Sequence, residues 1–114
     1  MGDVAESDWK LFRKRLPGWQ ESRMERLIGE YMEILGGEVP ASERFWALEK
    51  RIREDARRPG VVVRNVRRST MYDEIARLVL DGAITLDDLD GFTDDVTGYV
   101  RRRLEWRERE EQEG

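Results

Sequence analysis

The sequence predicts an all-α fold: one compact domain of four to five helices packed as an irregular bundle. Three observations predict it. Apolar residues recur at helical steps of three and four over most of the chain. Helix-start residues of the Thr-x-x-Asp kind and helix-ending Gly residues punctuate those runs. The one β-branched run, Val61-Val62-Val63, has no obvious partner strand in the chain.

The segment from Ser69 to Phe92 carries the clearest signals. Thr70 followed by Asp73 is a near match to a capping box, and Met71, Ile75, Leu78 and Val79 then share one helical face. Gly82 suits the left-handed residue just past a helix end, which only glycine adopts at no steric cost. Thr85 and Asp88 repeat the start signal for a short helix over residues 86–90, closed by Gly91.

Residues 1–7 read as a disordered tail before a helical domain over residues 8–108. Trp9, Phe12 and Leu16 make a short amphipathic helix over 9–16, which Pro17 and Gly18 are expected to break. A second helix runs over 19–35, with Met24, Leu27, Ile28, Tyr31, Ile34 and Leu35 on one face, and stops at Gly36 and Gly37. Ser42 is the expected cap of a third helix reaching Arg58, with a stripe of Phe45, Leu48, Ile52 and Ala56 and with Trp46 on its flank. Pro59 and Gly60 end it. Val61, Val62 and Val63 read as an extended connector or one loose helical turn. Thr93 caps a last helix marked by Val96, Tyr99, Val100 and Leu104, and residues 109–114 read as a frayed tail. The main core is expected from helices 19–35, 42–58, 69–81 and 93–108, with 9–16 and 86–90 as covers.

Composition excludes several chemistries. No apolar run approaches the roughly 20 residues needed to cross a bilayer. The acidic start, with Asp3, Glu6 and Asp8, does not read as a signal peptide, and the expected compartment is the cytoplasm. There is no cysteine and no histidine, so thiolate and imidazole chemistry and the common zinc sets are missing. No phosphate-binding glycine loop and no nucleophile elbow occurs. The carboxylate pairs Asp87/Asp88 and Asp94/Asp95 sit at helix starts, where the dipole favours them, and adjacent helical residues diverge by about 100°. A calcium loop over residues 77–88 fails because its first and third positions are Arg77 and Val79. A DNA-reading helix at 86–90 fails because it carries Asp87, Asp88 and Asp90 and no cation. The expectation is a non-enzyme with no cofactor and no metal.

What remains is a surface for another macromolecule. Net charge is −4, yet residues 51–68 hold seven arginines against Glu54 and Asp55. Guanidinium forks bind phosphate, so Arg57, Arg58, Arg64, Arg67 and Arg68 are candidates for contacting RNA or DNA. Tryptophan is favoured at protein interfaces, and Trp9 and Trp106, nearest the chain ends, are the aromatic candidates. The leading reading is a small adaptor, regulator or mobile-element accessory protein that binds a protein partner. Its alternative is an RNA- or DNA-contacting protein using residues 57–68. Self-association through the charged last helix stays open.

One resemblance bears on this. Leu16-Pro17 with Trp19-Gln20-Glu21, Phe45-Trp46 with Leu48-Glu49 and Arg51-Ile52, Pro59-Gly60-Val61, Asp81-Gly82 with Ile84-Thr85 and Asp87-Asp88-Leu89, and Phe92 with Asp94 follow one another across residues 9–95. In that order and spacing the chain resembles a group of small, uncharacterised bacterial proteins that often carry a transporter label. The resemblance implies a helical fold and a bacterial origin, and no activity. Gly18 and the pair Arg67 and Arg68 depart from that pattern.

Overall fold

The computed structural model describes residues 4–62 and 66–113. Four α-helices carry the fold: α1 (Glu6–Leu35), α2 (Ala41–Asp55), α3 (Met71–Leu80) and α4 (Asp94–Glu113). Short 3-10 turns at Arg68–Thr70 and Leu86–Leu89 lead into α3 and α4. No strand occurs among the described residues.

The first correction is α1. It runs unbroken through Pro17, so the two expected helices over 9–16 and 19–35 are one. Proline removes one backbone donor and crowds the preceding turn, a cost of about 3 kcal/mol in a helix interior. Packing on both sides of the site offsets it. Phe12 and Leu16 are buried before it, and Trp19 packs against the core after it. The Pro17 ring itself faces solvent, as does Gly18.

The second correction is the core. It forms where the first half of α1 meets α3, the 83–92 segment and α4. Phe12, Met71, Ile75, Leu78, Val96 and Val100 are fully buried there, with Ile84, Leu89 and Phe92 beside them. Trp9, Phe12, Trp19 and Phe92 form a chain of tilted rings 6.2–6.4 Å apart. The segment expected as a cover, 9–16, is therefore central. The helix expected in the core, 42–58, is not: α2 packs chiefly on α1, and Asp55 is its one buried residue. Geometry explains this. A 30-residue helix is about 45 Å long, and α3 with 10 residues spans only about 15 Å of it. The far half of α1 has α2 as its one helical neighbour and forms with it a projecting hairpin. The molecule measures 55 × 37 × 24 Å, with a radius of gyration of 16.8 Å, against about 13 Å for a compact chain of this length.

Turn chemistry is largely as read. Gly82 takes φ +80°. Its N–H donates to the Val79 carbonyl, and the Ala83 N–H donates back to Leu78 at 2.9 Å, a Schellman end to α3. Thr85 and Asp88 form a complete capping box. Three other caps differ. The Thr70 hydroxyl donates back to the Arg67 carbonyl, because a 3-10 turn precedes α3. α2 starts at Ala41 after Pro40, which places Ser42 inside its first turn. Thr93 precedes α4, but its hydroxyl and N–H both donate to the buried Asp8 carboxylate, at 2.6 and 3.0 Å. That contact ties the start of α1 to the start of α4.

The expected tails 1–7 and 109–114 are ordered where they are described, while residues 1–3 and 114 lie outside the described residues. Val4 packs against the core and α1 begins at Glu6, while α4 remains helical through Glu113. After α2, the N–H groups of Val61 and Val62 both donate to the Arg58 carbonyl, making one helical turn. Val63 lies outside the described residues.

Candidate functional site

The hairpin sets the site. On α1, Met24, Ile28, Met32 and Leu35 follow at steps of four, four and three, one continuous row. On α2, Phe45, Ile52 and Ala56 follow at seven and four. Leu27 is the one hairpin residue of these stripes that is buried. Met24, Ile28, Ile52 and Ala56 line a groove whose walls also include Leu27, Tyr31 and the buried Asp55, with Val61 at its end and a volume of about 200 Å³. Ile28 and Ile52 line the same groove, so the two rows open on the same side of the hairpin.

This face is bare. Met32 is 68 % exposed, and Phe45 and Trp46 are 62 % exposed each; Ile28, Leu35 and Ile52 are about half exposed. Phe45 and Trp46 pack edge-on, ring centres 4.9 Å apart, and cap the hairpin near its tip. A charged cluster borders the groove at Tyr31 and Asp55. There Arg51 pairs with Glu30 at 2.9 Å, lies over the Tyr31 ring, and approaches Asp55.

A charged joint holds the hairpin to the core. Asp55 is buried; Tyr31 donates its hydroxyl to it at 2.7 Å, and the Arg58 Nε lies 2.8 Å away. Arg58 also donates to Asp81 at 3.2 Å, and Arg23 sits beside the same carboxylate at 3.9 Å. Arg23 Nε, Asp55 Oδ1 and Asp81 Oδ2 are buried in these charge contacts without an aligned hydrogen bond. Burial, then the hydrogen bond and negative charge of Asp55, push the Tyr31 phenol up to about 12. Gly60 fits at this joint because a Cβ there would lie 2.8 Å from that of Ala83 and 2.7 Å from Arg23 Cγ.

The residues singled out from sequence do not converge. Arg58 turns inward to Asp55 and Asp81. Arg68 pairs with Glu6 and stacks over Trp9 at the opposite end of the core. Arg57 and Arg67 are exposed and Arg64 lies outside the described residues. Trp9 is not a free anchor: it is packed on Phe12 and flanked by Arg13 and Arg68. Trp106 is exposed. A shallow cleft of about 340 Å³ does gather Arg58, Arg77 and Arg107. Each is in contact with a carboxylate, of Asp55 and Asp81, of Glu74 and of Glu111 respectively. Asp81, within the 77–88 stretch that fails as a calcium loop, is held by Arg23 and Arg58, and no cluster of three acidic groups able to hold a metal occurs among the described residues.

Sequence reasoning missed Phe45 and Trp46. Their adjacency was the available signal. Neighbouring helical residues point about 100° apart, so two large rings side by side cannot both fill one narrow interhelical seam. No helix among the described residues is long and apolar enough to cross a membrane. No family model, curated protein or solved structure matches the chain.

Proposed function

We propose that this protein is a non-enzymatic interaction module that binds a protein partner through the open face of the α1–α2 hairpin. The observation that carries the reading is the row of half-exposed or more exposed apolar side chains, Ile28, Met32, Leu35, Phe45, Trp46 and Ile52, on one projecting element. Scattered exposed apolar residues are ordinary, but a contiguous set of this size with aromatic members is what protein interfaces use. Outside the hairpin the exposed large apolar groups, Val66, Leu86 and Trp106, are scattered, so the concentration of exposure is on the hairpin.

The alternative is contact with RNA or DNA through the arginines. The cleft of Arg58, Arg77 and Arg107 supports it, but each guanidinium there already has a carboxylate neighbour. Differential capture from cell lysate separates the two readings. Protein retained after nuclease treatment, lost on Phe45→Glu with Ile52→Glu and kept on Arg57→Glu with Arg67→Glu, is the expected result. Nucleic acid that is lost on the arginine changes and steeply weakened between about 50 and 200 mM salt overturns it.

A further inference from the structure

We infer that the occupant of the hairpin face is a second copy of this chain, docked about a two-fold axis so that the aromatic tip of each hairpin seats in the groove at the base of the other. This rests on the reading of the hairpin as a protein-docking surface and names its partner.

The argument is self-complementarity. An isologous interface needs one surface that carries both a feature and its counterpart, because residue i meets j and j meets i. The open face has both. Phe45, in the second turn of α2, is a knob near the tip, braced by Trp46. The groove of Met24, Leu27, Ile28, Ile52 and Ala56 is a hole near the base. Knob and hole lie 7 to 11 residues apart along α2, about 10–16 Å of helix. Antiparallel stacking of two hairpins by the two-fold operation brings each knob over the other copy's hole. The sizes agree. A dry cavity of about 150 Å³ holds a benzene ring, and this groove offers about 200 Å³ of almost wholly apolar lining.

Area agrees as well. The two rings and the exposed aliphatic side chains present on the order of 500 Å² of apolar surface. A standard interface takes about 800 Å² from each partner, somewhat over half of it apolar. The hairpin face therefore offers about the apolar share of such an interface, its polar rim coming from the flanking charged residues. Charge argues against a cationic occupant as the main contact, since the stripe itself carries none. Glu25 and Glu33 stand exposed on the outer side of α1. In the two-fold pairing they form a solvated rim of like charge, so added salt leaves the dimer unchanged or tightens it.

The test is the mass of the full chain in solution, by sedimentation or light scattering from about 1 to 100 μM. The expected mass is twice the 13.5 kDa of the chain. A monomer at the highest concentration overturns the inference while leaving a different protein partner for the same face; loss of nuclease-resistant, face-dependent capture is what would remove the functional reading itself. Phe45→Ala empties the knob and Ala56→Phe fills the hole. Each variant alone dimerises at least about tenfold more weakly, with unchanged circular dichroism because both sites are exposed. Mixed, they recover a heterodimer, in which one knob–hole pair is intact and the small residue of one copy faces the filled hole of the other. Homodimers of undiminished strength, or a mixture that recovers nothing, would overturn knob-in-hole docking.

Discussion

The two halves of α1 have similar apolar content and opposite fates. In the first half Phe12 is wholly buried and Leu16 nearly so; in the second, Ile28 and Leu35 are about half exposed and Met32 more. The first half packs its apolar side chains into the core; the second packs on α2 and reaches the core end through Arg23 and Arg26, which contact Asp81, Gly82 and Ala83. An apolar stripe states that a helix has a face to cover. Whether it is covered depends on how many neighbours reach it, and α3 and the buried part of α4 do not reach past the middle of α1. Most large apolar groups at the core end are buried in the fold, and most of those on the hairpin stay exposed.

The largest effect expected from this contrast is a pair of identical substitutions. Phe12→Ala removes a fully buried ring and costs about 3–5 kcal/mol, enough to threaten folding of a marginally stable chain. Phe45→Ala, at the exposed tip, costs the isolated monomer about 0.5 kcal/mol or less. Urea unfolding of both variants at concentrations below dimer formation measures the difference. Similar losses would mean that the hairpin face is covered within the monomer.

A smaller effect is expected at the joint. Asp81→Asn leaves Arg58 and Arg23 without their shared carboxylate, with a cost of about 1–3 kcal/mol because Arg58 is partly solvated. The loss falls on the attachment of the hairpin. Amide exchange should quicken over residues 24–35 and 41–55 while α3 keeps its protection. Uniform quickening across both regions would merge them into one cooperative unit.

The smallest effect is alkaline. Tyr31 is neutral when folded and donates to Asp55, and its pKa is raised by burial first and then by that carboxylate. A raised folded pKa means that the contribution is intact below the ordinary tyrosine value near 10. It is lost as pH climbs from there to about 12, since the unfolded phenol ionises first. Circular dichroism melts should show extra destabilisation over that window, absent in Tyr31→Phe. Tyr99, raised by its hydrogen bond to Asp73, and Tyr72, raised by burial, act in the same direction at the core end. Tyr31→Phe therefore removes only the hairpin's share.

Local structure was legible where one residue decides it. Gly82 and the Thr85/Asp88 box act within a few residues, and both formed as their side-chain chemistry dictates. Pro17 was misread because its local cost is met by distant packing of Leu16 and Trp19, which no window of sequence displays. The place of α2 was misread for a related reason. Its stripe of Phe45, Leu48, Ile52 and Ala56 predicts a helix with an apolar face but not the absence of a lid. The arginines were read by charge, yet many act as donors to carbonyls. Arg15 reaches Asp88 and Asp90, Arg26 reaches Gly82 and Ala83, and Arg44 reaches Leu35 and Val39. A five-donor fork suits loop and helix-end carbonyls better than an ammonium does, which gives the 18 arginines against 3 lysines a structural use.

The central claim, that the hairpin face docks a protein, is tested most directly by a photo-cross-linking phenylalanine analogue placed at position 45 and irradiated in cell lysate. The account predicts a nuclease-resistant adduct to protein, and specifically to residues 24–28 or 52–56 of a second copy. An adduct to a different protein would keep the docking face and replace its occupant. Adducts to nucleic acid alone, or none above those from an analogue placed at exposed Lys14, would contradict the claim.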